Sequence, residues 1–320
     1  MLRFALTTSA FVLASSSLQI EGGVGGLENF LPREEGECVL PVIEDIFFVS
    51  WPLPNDTTNF EINRTVLYYT RIPKTGSTTM RSLIKPGVRT FGPRGGAPMF
   101  ADQLLEVLRS GLATTYALFT PHTAFGLHAA AATPCKYAAV LREPFSRMVS
   151  LFYENVRRKR FKALYSDPVR FLQACNGSFV LHNMQTAQLC GYGPECASEQ
   201  TALALARRHL DDCYVAGVLE DLPATLDRFH DAYPDIFPSS EDAAREHVQQ
   251  QQQQQQQDRA TIRRVHRTSQ LEKEPSHVQQ QVEALQNDYY PRTARADYTL
   301  WNYVKRDLQA WKQQRPRTFY

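Results

Sequence analysis

The chain has 320 residues, 43% of them hydrophobic, which is the composition of a globular protein with one sizeable core and excludes a disordered chain. Its formal net charge of +2 is small for that length, so a polyanionic partner would have to be met by a local basic patch. Composition alone names no partner.

At the N-terminus, Arg3 is followed by the apolar stretch Phe4 to Ala14 and by small residues through Ser17. Residues 1–20 therefore read as a secretory signal peptide or a short signal anchor. The stretch is short and rich in Thr and Ser for a membrane span, which favours the cleaved peptide. Three acceptor sequons, at Asn55, Asn63 and Asn176, agree with a lumenal or extracellular location. So do the 6 cysteines, Cys38, Cys135, Cys175, Cys190, Cys196 and Cys213, an even set suited to an oxidising compartment. Cys190 and Cys196 enclose a Gly/Pro turn and are the local candidates for a disulfide, with free buried thiols as the alternative. No second close Cys/His pair stands nearby with ligand spacing, so no metal site is expected.

Residues 21–60 are rich in Gly, Pro, Glu and Asn and read as a stem or irregular lead-in. The folded domain is expected over 61–312. Val66 to Tyr69 is a β-prone run, and Thr78 to Ile84 continues as a helix with an apolar stripe. A glycine- and proline-rich loop spans Lys85 to Pro98, and a helical pattern follows at Gln103 to Leu108. Tyr116 to Phe119 reads as a strand that ends in Thr120-Pro121-His122. Lys136 to Leu141 is a continuous apolar run suited to a buried parallel strand, terminated by Arg142-Glu143-Pro144. The next helix starts at Pro144, where proline is favoured, and carries Phe145, Met148, Val149, Phe152 and Tyr153 at helical spacing.

Helices at Thr201 to His209 and Leu222 to His230 flank a strand at Cys213 to Val218. Gln249 to Gln257 is a low-complexity tract, read as a solvated insertion in a surface loop, with a helical arm for a partner as the sharper alternative. A helix at Leu300 to Trp311 and a tail at 313–320 close the chain. Alternating strands and helices predict an α/β domain with a central, mainly parallel sheet flanked by helices.

Two strand-to-helix turns carry the chemistry. The first, Pro73 to Thr79, is hydroxyl-rich and holds one lysine. Its backbone N–H groups, hydroxyls and ammonium together suit an anion such as phosphate. The second runs from Leu141 to Ser150. Ligands of open α/β sheets bind beyond the carboxyl ends of the strands, where both turns lie. Arg142 and Ser150 are eight residues apart and can reach one anionic group, unless they are simply a capping arginine and a packed serine. The first turn departs from G-x-x-x-x-G-K-[ST], because its lysine precedes its single glycine. That argues against a nucleoside triphosphatase.

Together the turns resemble the sulfotransferases that use 3′-phosphoadenylyl sulfate, whose first loop reads Pro-Lys-Thr-x-Ser-Thr and whose second reads Arg-[Asp/Glu]-Pro-x-x-Arg-x-x-Ser. Both patterns are complete here, at Pro73 to Thr78 and Arg142 to Ser150. Within that family the chain is most similar to the uronyl and heparan sulfate 2-O-sulfotransferases, from Val66 to Leu308. The similarity includes Cys190 to Cys196 as a short disulfide loop, Tyr214 to Leu222, Arg267-Thr268-Ser269 and Pro275-Ser276.

The resemblance implies a P-loop-like three-layer domain and a set of roles. Lys74 would meet the 5′-phosphosulfate together with Thr75, Gly76, Ser77, Thr78 and Thr79, and would offset charge building on the leaving phosphate. Arg142 and Ser150 would hold the 3′-phosphate, and Arg267, Thr268 and Ser269 would join the nucleotide site. His122 would be the general base, its pKa suited to lumenal pH. The family carries a His-x-His pair there, whereas Thr120 stands here at the first position. His128 and His182 are weaker candidates.

The basic run Arg157 to Arg160 would line a glycan groove or form a solvated helix face. The resemblance further implies a glycan acceptor, 3′-phosphoadenylyl sulfate as co-substrate, no metal, and residence in the Golgi lumen, either free or anchored through the N-terminus. No nucleic-acid-binding module is recognised, and the oligomeric state is left open. Two rival readings are a phosphotransferase built on the same loops and a glycan-binding protein that has kept the fold without catalysis.

Overall fold

In the computed structural model, residues 65–85, 88–91, 115–120, 125–126, 128, 134–157, 167–173, 182–191, 194–245 and 274–315 are described. Five strands form one sheet: β1 (Thr65–Thr70), β2 (Arg89–Phe91), β3 (Thr115–Thr120), β4 (Tyr137–Leu141) and β5 (Tyr214–Val218). Their order is β2-β3-β1-β4-β5, and every pairing is parallel. The register sets Tyr68 beside Tyr137 and Tyr137 beside Tyr214.

The helices are α1 (Ser77–Ser82), α2 (Pro144–Arg157), α3 (Pro168–Gln173), α4 (Met184–Cys190), α5 (Glu199–Cys213), α6 (Leu222–Ala232), α7 (Ser276–Ala284), α8 (Tyr290–Thr293) and α9 (Arg295–Gln314). A π-helical turn, Leu285–Tyr289, joins α7 to α8.

Successive residues of a strand point to opposite faces, and here both faces are buried. Tyr68, Tyr137, Ala139, Leu141, Tyr214 and Ala216 pack on one side against Leu189 of α4, Ala202 and Ala206 of α5, and Leu300 and Val304 of α9. Leu67, Tyr69, Ala138 and Val140 pack on the other against Met80 of α1 and Leu226 and Phe229 of α6. The described part is thus an α/β unit with helices on both faces of a parallel sheet. A third cluster joins Phe145, Met148 and Phe152 of α2 to Phe171 of α3, Val282 of α7 and Tyr290 of α8.

Local chemistry explains several boundaries. Ser198 accepts a hydrogen bond from the Thr201 amide, so α5 starts two residues before Thr201. It runs through Cys213, and the following strand begins at Tyr214 instead. The helix after the first turn stops at Ser82, short of Ile84. The stretch Lys85 to Pro98, read above as loop, contains β2. Helix α9 starts at Arg295, five residues before Leu300. No element was expected at α4, and the reason is physical. All 7 of its residues are buried, polar ones included, so the sequence does not divide into an apolar buried face and a polar exposed one.

Two disulfides are present among the described residues, Cys190–Cys196 as expected and Cys135–Cys213 in addition. The second ties the approach to β4 to the approach to β5. Among the described residues no helix is long and apolar enough to cross a membrane. Residues 1–60 with Asn55, Asn63 and the other sequon Asn176, the helix at 103–108, His122, Arg158 to Arg160, the glutamine tract and Arg267 to Ser269 lie outside the described residues.

Candidate functional site

Strands β1 and β4 are neighbours, and the chain leaves them toward opposite edges of the sheet, from β1 to the β2 edge and from β4 to β5. Helix α1 covers one face, whereas α5, which leads into β5, covers the other. Such a reversal opens a crevice beyond the carboxyl ends of the two strands. The Lys74 turn follows β1 and the Arg142 turn follows β4.

The first turn is tightly wound. Lys74 has φ 69° and Gly76 φ 83°, both left-handed, which is uncommon for a residue with a side chain. A Cβ on Gly76 would lie 2.6 Å from Leu219 Cδ1, so the segment after β5 packs closely on the turn, and the left-handed φ favours glycine there. The Thr75 hydroxyl donates to the Ile72 carbonyl at 3.0 Å and closes the turn internally. Thr75 and Ser77 are buried, whereas Thr78 and Thr79 are exposed. The first backbone bond of α1 runs from Met80 N to Gly76 O at 2.9 Å. The amides of Ser77, Thr78 and Thr79 therefore precede the helical ladder, as first-turn amides do.

In the second turn Glu143 is the N-cap of α2. Its carboxylate accepts from Phe145 N at 3.1 Å and from Ser146 N at 2.6 Å, and Pro144 fills the first helical position. Gln185 of α4 grips Arg142 from behind: its Oε1 accepts from Arg142 N and its Nε2 donates to Arg142 O, both at 2.9 Å. Arg142 is thereby fixed at the end of β4, and its Nη1 donates to the Lys74 carbonyl at 3.2 Å. The two turns are in direct contact.

Helix α2 supplies a second link. Lys74 Nζ lies 3.4 Å from Glu154 Oε2, with the two side chains 17% and 10% exposed. Ser150, buried, stands one helical turn before Glu154 on the same face. Arg147, which belongs to the same motif, is fully buried, and its guanidinium meets the sulfur atoms of Met184 and Met148. Burial pushes the Asp297 carboxyl of α9 above the usual range, and the Arg147 charge opposes that rise. Asp297 accepts from Thr186 N at 2.7 Å, Thr186 Oγ1 at 2.8 Å and Gln185 N at 3.2 Å. Arg147 and Asp297 thus serve the support of the turn from within the core.

Helix α9 also braces the turn from outside. Tyr298 donates to Glu143 Oε1 at 2.5 Å, and Glu220 accepts from Glu143 N and from Trp301 Nε1. Glu154, Gln185 and Asp297 were not marked by the sequence, since each acts through partners 43 or more residues away, and Glu220 was marked only as part of the Tyr214 to Leu222 stretch, with no role.

The weaker histidine candidates have other partners. Tyr137 Oη accepts from the amides of Gly126 and His128, at 3.3 and 3.1 Å, and lies 3.0 Å from His128 Nδ1. Burial and the nearby His209 hold the pKa of His128 below 6.5. His182 is buried against the rings of Tyr289 and Tyr290. None of these partners belongs to the Lys74 or Arg142 turn.

The arrangement joins a lysine, an arginine, first-turn amides and two exposed threonines at one end of the sheet. Such a set is suited to a ligand with more than one anionic group. No family model matches the chain, and comparison with curated proteins gives no match.

Proposed function

We propose that the chain is a carbohydrate sulfotransferase, which moves a sulfuryl group from 3′-phosphoadenylyl sulfate to a glycan hydroxyl, as the resembling uronyl and heparan sulfate 2-O-sulfotransferases do. The observation that carries this reading is the Arg142 Nη1 to Lys74 O hydrogen bond, which joins the two motif turns at the switch between β1 and β4. A nucleotide with phosphates at both ends needs two anion-binding turns within one molecule's length. The domain is then P-loop-like; the signal-like N-terminus supports the secretory pathway, and the resemblance the Golgi, either in its lumen or anchored in its membrane.

Lys74 neutralises the phosphate oxygen that takes up the electron pair as the S–O bond breaks, an interaction that strengthens toward the transition state. Arg142 and Ser150 of α2 anchor the 3′-phosphate. Thr78 and Thr79, exposed at the start of α1, offer hydroxyls to the phosphosulfate. His122 takes the proton of the attacking hydroxyl, which is expected at the 2-position of a uronic acid or similar sugar. Arg267, Thr268 and Ser269 complete the nucleotide site.

Transfer of labelled sulfate from the donor to a panel of desulfated polysaccharides tests the reading. Label in at least one glycan, together with binding of adenosine 3′,5′-bisphosphate and none of ATP, is expected. Nucleotide binding without transfer would instead identify a glycan-binding protein on the same fold, and ATP binding would favour the phosphotransferase.

A further inference from the structure

A carboxylate already stands against the cation on which the proposed chemistry depends. Lys74 Nζ and Glu154 Oε2 are 3.4 Å apart, and both side chains are largely withdrawn from water. Solvent and salt screen such a pair far less than a surface pair. Glu154 stands on a helix whose apolar face is packed through Phe145, Met148 and Phe152. Lys74 is constrained by its left-handed backbone and by the Arg142 bond to its carbonyl. Any anion that comes to the Lys74 ammonium therefore competes with Glu154 or is repelled by it.

We propose that Glu154 is a specificity-determining residue of the donor site. It sets a threshold that an anion passes only by carrying more charge than a carboxylate and by holding on elsewhere as well. A nucleotide anchored at Arg142 and presenting a phosphosulfate to Lys74 meets both conditions. Inorganic phosphate and sulfate have no second anchor and are turned away. This inference rests on the sulfotransferase reading, because it assigns the donor's charged end to Lys74. Glu154 acts through Lys74 and takes no part in bond making, so its removal is expected to strengthen binding where a merely structural residue would weaken it.

Calorimetric titration of the full chain with adenosine 3′,5′-bisphosphate, and separately with inorganic phosphate, tests the proposal. Glu154→Gln keeps the size of the side chain and removes its charge. It is expected to bind the bisphosphate about tenfold more tightly, or better, and to gain measurable phosphate binding. Glu154→Asp keeps the charge and should behave like the unaltered protein. Adding Lys74→Met to Glu154→Gln should erase the gain. Unchanged or weaker bisphosphate binding by a folded Glu154→Gln protein, with binding by the unaltered chain intact, would overturn this proposal alone. If no folded form binds the bisphosphate, the donor reading falls and the role of Glu154 falls with it.

Discussion

Lys74 is fixed by two contacts from far along the chain and by its own backbone. Its carbonyl is held by Arg142, its ammonium faces Glu154, and its left-handed backbone leads into Gly76. Lys74→Ala is expected to abolish sulfate transfer while bisphosphate binding falls, and Arg142→Ala to weaken donor binding chiefly; full activity of either variant in the transfer assay would contradict the assignment. Gly76 makes a sharper structural test. A methyl group there meets Leu219 Cδ1 at 2.6 Å and must also adopt φ 83°. Gly76→Ala should lower stability by about 1–3 kcal/mol, read from denaturant unfolding. The lysine, the glycine and the hydroxyls of this turn were legible as types in sequence. That Thr75 spends its hydroxyl on Ile72 O was not, because a turn's internal bond depends on its final dihedral angles.

At the scale of elements, α4 holds the second turn in place. Gln185, fully buried, satisfies both backbone groups of Arg142, and its loss would leave a donor and an acceptor without a partner in the interior. Gln185→Leu should cost about 2–4 kcal/mol and weaken bisphosphate binding as well, since the arginine loses its backing. Calorimetric melting and titration of the same sample check both effects.

The loop bearing Phe125 and His128 packs on α5 through His209, which stacks on Phe125 at 3.7 Å. Both histidines have pKa values below 6.5, for burial disfavours their charged forms, and His209 adds repulsion at His128. Unfolded, they bind protons more readily. Their contribution to stability is thus complete above the ordinary value and is lost as pH falls through the lowered one. The melting temperature should drop on acidification from about pH 7 to about pH 5, and a flat profile over that range would contradict the lowered values. Helix α2 was legible, because a proline at its start and an apolar stripe at helical spacing coincide, whereas the Glu143 cap emerged only in the structure. Helix α4 was not legible, since with every residue buried its sequence does not divide into an apolar face and a polar one.

For the molecule as a whole, closure depends on ties between segments distant in sequence. Cys135 and Cys213 are 78 residues apart and pin the starts of two adjacent parallel strands. Replacing both by serine should cost about 2–4 kcal/mol, since the unfolded chain regains a long loop's freedom. The shift in denaturation midpoint measures it, and a negligible shift would mean that the sheet alone fixes the two strand starts.

Helix α9 is the other tie, carrying Leu300 and Val304 to the sheet while Asp297, Tyr298 and Trp301 brace the Arg142 turn. By itself the sequence determined the α/β alternation, the two motif turns, the start of α2 and the Cys190–Cys196 loop, all written in residues within a few positions of one another. Only the tertiary structure decided that β1 and β4 lie side by side, that Arg142 meets Lys74, and that Glu154 and Gln185 stand behind them. Local patterns encode the elements, because dihedral preferences and periodicity act over short spans. Contacts across many tens of residues arise only when those elements bury their faces against one another.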